Sequence, residues 1–117
     1  MSSNPSDELL YRVADRLKAL ADPTRLRILH ALQRGERTVS DLLADIGGSQ
    51  ANLSKHLARM RLAGLVEARR DGVNVFYRVT DPTAFAVCRT VCDSLEERAK
   101  SERTLLRSAR TRIGAAR

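Results

Sequence analysis

At 117 residues the chain is long enough for one domain with a modest core and too short for two. It carries 21 Lys and Arg against 14 Asp and Glu, a net charge of +7, which suits a polyanionic partner because each phosphate contact releases condensed counterions, although plainly soluble basic proteins share that balance. Trp is absent and the only aromatics are two Tyr and two Phe, which argues against single-strand binding on stacked aromatic platforms.

The opening MSSNPSDELL lacks the basic and apolar regions of a secretory signal. No apolar run approaches the ~18 residues of a spanning helix, so no membrane partner is expected. Two cysteines four residues apart make no disulfide framework, and the expectation is a cytoplasmic protein.

Asn4-Pro5 is read as the cap of a first helix with Pro at its first position, followed by Leu9, Leu10, Val13, Ala14, Leu17 and Leu20 at helical spacing. Asp22-Pro23 repeats that start for a second helix lined by Leu26, Leu29 and Leu32 and stopped at Gly35. Thr38 to Asp41 resembles a capping box, opening a short third helix with Leu42, Leu43 and Ile46 inward and Gly47-Gly48 as its stop.

A fourth helix is expected from an N-cap at Ser49 to just before Gly64, with Leu53, Leu57 and Met60 as its buried stripe. Its opposite face carries Ala51, Asn52, Ser54, Lys55, Ala58 and Arg59 and no acid. Residues 65–79 then alternate, with Val73, Val75, Tyr77 and Val79 on one face and Asp71-Gly72 as the turn signal; Arg69 and Arg70 stand just before that turn. A polar-faced helix followed by a basic hairpin is the outline of a winged helix-turn-helix, in which one helix enters the major groove of duplex DNA and the hairpin lies beside it. The candidate DNA-binding residues are Ser49, Gln50, Asn52, Ser54, Lys55, Arg59, Arg69 and Arg70. Gln50, Asn52, Ser54 and Lys55 are assigned to the groove, and Arg59 to a flanking phosphate.

Asp81-Pro82 opens a fifth helix with an apolar stripe at Ala84, Phe85, Cys88, Val91, Cys92 and Leu95, thinning through Ala99, Leu106, Ala109 and Ile113. Apolar stripes at both ends of so small a chain need a partner, and a twofold dimer is the simplest. Residues 1–97 are assigned to one winged helix-turn-helix DNA-binding and dimerisation domain, and 98–117 to a basic C-terminal helical extension or tail, expected to fray.

LKALADPTRLRILHAL over residues 17–32, the SQANLSKHL helix and the RRDGVNVFYRV hairpin together resemble the ArsR/SmtB family of dimeric repressors, over roughly residues 8–95. The resemblance implies a mainly α fold with helices and strands in the order α-α-α-α-β-β-α, a homodimer through the first and fifth helices, binding to a palindromic operator, and release by an inducer. Two of the family's inducer sites are missing. The Cys-x-Cys segment entering the third helix is replaced by Val39 and Ser40. The zinc site of the last helix finds Pro82-Thr83 after Asp81, then Ser94 and Glu97, with no His after residue 56.

Cys88 and Cys92 remain, an i, i+4 pair with Cβ atoms ~5–6 Å apart on one helix face. With a second subunit's pair they would suit a thiophilic metal or metalloid ion or a thiol oxidant, or they pack as small hydrophobes. His30 is read as structural. His56 either touches a phosphate or packs at the helix corner. No nucleophile–base pair, phosphate loop or carboxylate dyad suggests an enzyme. The competing readings are an architectural DNA-coating protein, which would need only Lys and Arg, or a protein-binding winged helix.

Overall fold

The computed structural model describes residues 4–115. It contains α1 (Asp7–Leu20), α2 (Pro23–Leu32), β1 (Arg37–Thr38), α3 (Val39–Ile46), α4 (Gln50–Leu62), β2 (Val66–Asp71), β3 (Asn74–Val79) and α5 (Thr83–Ala115). The chain forms two compact units, the first ending at Phe85 and the second beginning at Ala86.

Local chemistry sets most boundaries in the first unit. The α1 helix starts later than Asn4-Pro5 suggested: Ser6 is the N-cap, its hydroxyl accepting from the Leu9 amide at 3.2 Å, which places Pro5 outside the helix. Asp22 caps α2 as expected, with Pro23 at its first position. Thr38 and Asp41 form a reciprocal capping box at the start of α3. Gly47 (φ 81°) and Gly48 (φ 83°) then turn the chain in a left-handed conformation costly for other residues, and Ser49 caps α4. Helix, Gly-containing three-residue turn and second helix make a helix-turn-helix.

The core lies between α2, α3, α4 and the base of the hairpin. Ile28, Leu29, Leu42, Leu53, Leu57, Met60 and Leu65 are its largest fully buried side chains, and no polar or charged residue among those described is buried with them. Leu53, Leu57 and Met60 are the inward stripe expected of α4. In α1 only Ala19 and Leu20 are buried, while Leu9, Leu10, Val13 and Leu17 stay 46–50% exposed.

The hairpin departs from expectation in three ways. It belongs to a three-stranded antiparallel sheet of order β1-β3-β2, because β1 pairs Arg37 with Tyr77 and Thr38 with Phe76. Two residues, the second of them itself the helix cap, carry no strand periodicity, so the sequence did not reveal them. The turn is centred on Gly72-Val73, one residue later than Asp71-Gly72, since Asp71 pairs with Asn74. With Gly72 at φ 63° and no positive φ at Val73, Gly occupies the first central position, as a type II′ turn requires. Val73 is therefore 98% exposed rather than on an apolar face, and Phe76 is half-buried beside Val75 and Tyr77.

The second unit is one continuous helix through residue 115, without the fraying expected from residue 98. Ala, Leu, Arg, Glu and Lys dominate this stretch, and their helix propensity sustains it where apolar density is low. Val91, Leu95, Leu105 and Leu106 are exposed on it, Cys92 is exposed and Cys88 half-buried. The side chain of Ile113 lies outside the described residues. No helix among the described residues is long and apolar enough to cross a membrane.

Candidate nucleic-acid interface

The buried stripe of α4 fixes which side chains face outward. With Leu53, Leu57 and Met60 in the core, Gln50, Ala51, Asn52, Ser54, Lys55 and Ala58 are all exposed. The side chains of Gln50, Asn52, Ser54 and Lys55 make no hydrogen bond or ion pair among the described residues. Ser49 is exposed too, but its hydroxyl is used as the helix cap, accepting from the Asn52 amide at 3.1 Å. There is no acid in the first turn of α4 or anywhere in the helix, so the positive end of its dipole is uncompensated. Two amides and a hydroxyl are the donor–acceptor pairs that read base edges, and Lys55 adds a cation among them.

The inner edge of α4 is held by charged contacts. Arg25 donates through Nε to the Ala19 carbonyl (2.6 Å) and through Nη2 to the Lys18 carbonyl (3.1 Å), closing the end of α1. Its Nη1 lies 3.2 Å from His56 Nδ1 on α4. Guanidinium can only donate, so Nδ1 accepts and the ring proton sits on Nε2. The Asp22 carboxylate, 3.7 Å from His56 Nδ1, is held below its ordinary range, first by the Arg25 amide it accepts from and also by the nearby Arg25 charge. His56 is thus a corner residue joining α1, α2 and α4. His30 is exposed on α2.

Arg59 is half-buried, and its Nη2 donates to the Asp15 carboxylate (3.2 Å) and main-chain carbonyl (3.5 Å) of α1. Arg16 makes a 2.6 Å pair with Asp81. Arg37 pairs with Asp45 at 2.7 Å, tying β1 to the end of α3.

The two hairpin arginines have different surroundings. Arg69 grips Glu36, just before β1, with both arms of its fork: Nε to Oε1 at 3.2 Å and Nη2 to Oε2 at 2.7 Å. Its guanidinium also lies 4.8 Å from the centroid of the Phe76 ring. The Glu36 carboxyl is held below its ordinary range, chiefly by the Arg69 hydrogen bonds. Arg70 is exposed and has no ion pair or hydrogen bond through its side chain among the described residues. Sequence reading found both arginines but missed Glu36 and Phe76 as the supports of Arg69, Asp15 as the partner of Arg59 and Arg25 as the partner of His56. The Arg69–Glu36 and Arg59–Asp15 pairs span 33 and 44 residues, beyond any local spacing signal.

Cys88 and Cys92 are free thiols one helical turn apart, and the neighbouring Cys88 raises the Cys92 thiol above its ordinary range. Among the described residues no three His, Cys, Asp or Glu side chains gather to hold a metal ion. Among the described residues the two sulfurs have no third such donor beside them.

Comparison with known proteins agrees with this geometry. The family model described as bacterial regulatory protein, arsR family, matches residues 22–68. The probable mercury resistance operon repressor of Streptomyces lividans is 48% identical over 65 residues, 56% of this chain and 52% of that protein. Among solved structures, Rv0081 of M. tuberculosis is 38% identical with a TM-score of 0.68, covering 85% of this chain and 99% of that one. The homodimeric winged helix-turn-helix DNA-binding domain Mb0332 of Mycobacterium bovis is 36% identical with a TM-score of 0.71, covering 83% of this chain and 95% of that one. The first curated relatives are longer than their matched part, which spans 56%, 52% and 65% of three of them.

Proposed function

Because the chain belongs to the bacterial ArsR family of regulatory proteins, we propose that it is a sequence-specific DNA-binding repressor acting as a homodimer. The observation that carries this reading is the outer face of α4: exposed, acid-free, and set with Gln50, Asn52, Ser54 and Lys55 whose side chains are not engaged within the protein. Gln50 and Asn52 are the residues suited to bidentate pairing with adenine, Ser54 to either partner of a base pair, and Lys55 to a guanine edge or a phosphate. Ser49 caps the helix and offers its end to the backbone. At the wing, Arg70 has its cation free for phosphate. Arg59 serves this reading as a support holding α4 against α1 rather than as a flanking-phosphate ligand.

Dimerisation is supported by apolar surface that a single chain leaves exposed, on α1 at Leu9, Leu10, Val13 and Leu17 and on α5 at Val91 and Leu95. A twofold dimer would read a palindromic operator with half-sites about one helical turn apart. The architectural reading is disfavoured by the amides on α4, which a coating protein does not need. Competition binding decides between them: operator binding should survive a large excess of random duplex, and equal competition by random duplex would overturn the repressor reading.

The thiol pair is our candidate for the responsive element. The two free thiols lie one helical turn apart, so a soft ion binding them would displace their protons, and a second subunit would bring two further sulfurs where the ion takes more than two. Arsenite, mercury, cadmium or a thiol oxidant should release the wild-type protein from its operator, and Cys88→Ser or Cys92→Ser should abolish the response. Identical responses in all three proteins would make the thiols packing residues.

A further inference from the structure

Arg69 and Arg70 are consecutive residues of β2, so their side chains leave opposite faces of the sheet. The face that Arg69 shares is closed on itself. Residues in register place Glu67 opposite Arg78 and Arg69 opposite Phe76, and Asp71 lies on the same face at the turn. Arg78 pairs with Glu67, Arg69 pairs with Glu36, and Arg69 also lies 3.8 Å from Asp71. Three acids surround two arginines, so a phosphate approaching this face meets carboxylates at every cation.

The Arg69–Glu36 contact also has a distinctive path. Arg69 is on one edge strand of the sheet, and Glu36 immediately precedes the other, with β3 between them. Two strand spacings amount to ~10 Å, which the arginine side chain bridges by lying over Phe76 of the middle strand. On the far side, β1 continues directly into α3, with Thr38 serving both as strand residue and as helix cap. The pair therefore connects the hairpin to the start of the helix-turn-helix, over and above the strand hydrogen bonds.

We propose that Arg69 is a positioning residue that fastens the wing to the helix-turn-helix through Glu36, across the Phe76 ring, and that Arg70 alone of the two meets DNA phosphate. The second half of this proposal rests on the DNA-binding reading above; the first half does not. The fork matters as well as the charge, because a carboxylate gripped by two N–H groups fixes an angle where a single contact would fix only a distance.

The test uses full-length Arg69→Ala, Glu36→Gln and Arg70→Ala proteins in salt titrations of operator binding, with amide hydrogen exchange over Val66–Val79 in the DNA-free protein. Arg70→Ala should lower the slope of log K against log salt by about one while leaving exchange unchanged. Arg69→Ala and Glu36→Gln should both leave the slope unchanged, weaken binding to all sequences by roughly two- to fivefold, the range open to an exposed ion pair, and accelerate exchange in the hairpin. Glu36→Gln is the sharper variant, since it keeps the Arg69 charge and sets it free. If Glu36→Gln tightened DNA binding, or Arg69→Ala lowered the slope by about one, Glu36 would be a mask over a phosphate ligand and the proposal would be overturned. Unchanged hairpin exchange in both variants would overturn the fastening role. Should the wild type bind no duplex selectively, the exchange comparison would still decide the fastening role, and the DNA reading would fail separately.

Discussion

The outer face of α4 and the wing beside it are built on opposite plans. On α4 the polar side chains are exposed and unengaged, and stiffness comes from beneath, through Leu53, Leu57 and Met60 in the core and the Arg25–His56 contact at the corner. On the wing the apolar support is thin, with Phe76 and Tyr77 only half-buried, and stiffness comes from ion pairs that consume most of the charge. A reading surface needs uncommitted donors and acceptors on a rigid support, since each side chain already paired must exchange partners to read a base. A β-hairpin that only steadies a complex can spend its charges on holding its own shape. Counting arginines near a turn therefore overstates what a wing offers to DNA.

The largest break in this contrast comes from below. Leu57 is fully buried under the α4 face, and Leu57→Ala should cost about 2–5 kcal/mol of stability in urea denaturation. A loss under about 1 kcal/mol would mean that α4 is not seated on this core. A smaller effect lies where wing and helices meet. Thr38→Ala removes the cap of α3 and one side of its capping box, with an expected cost of about 1 kcal/mol. Because Thr38 also belongs to β1, exchange protection should drop in both α3 and β3; loss confined to α3 would separate the strand from the cap.

The subtlest test is acid. The Glu36 carboxyl is held below its ordinary value of 4.5 by Arg69, so its contribution is complete above that value and is lost as pH falls through the lowered one. The Arg69 Nε–H resonance should accordingly stay constant from neutral pH down to about 4.5 and move only below it. A midpoint at or above 4.5 would contradict a bonded carboxylate.

These two regions also differed in how well the sequence displayed them. The α4 helix was readable because everything that defines it is local: the Ser49 cap, apolar residues at i, i+4 and i+7, and a glycine beyond its end. The Asp22-Pro23 start and the Thr38–Asp41 box were readable for the same reason. The wing was only half readable. Alternation suggested the hairpin, yet β1 and the partner of Arg69 depend on residues brought together from more than thirty positions apart, and the role of Phe76 on the exact register of the hairpin. Register decided the turn as well, because Gly72 must take the first central position for the strands to twist correctly. In α5 the sequence left open whether residues 98–117 continue the helix or form a tail, because the apolar stripe thins there; the residue types, which favour helix, were the signal available.

The central claim is that α4 reads bases with Gln50 and Asn52 while the wing only steadies the complex. Its most direct test is the ratio of operator to random-duplex affinity at one salt concentration, measured by fluorescence anisotropy for wild type, Gln50→Ala, Asn52→Ala and Arg70→Ala. The two α4 variants should each lose about 1–3 kcal/mol of discrimination through weaker operator binding. Arg70→Ala should weaken both duplexes alike and leave the ratio intact. An unchanged ratio in Gln50→Ala and Asn52→Ala, or a collapsed one in Arg70→Ala, would contradict this account.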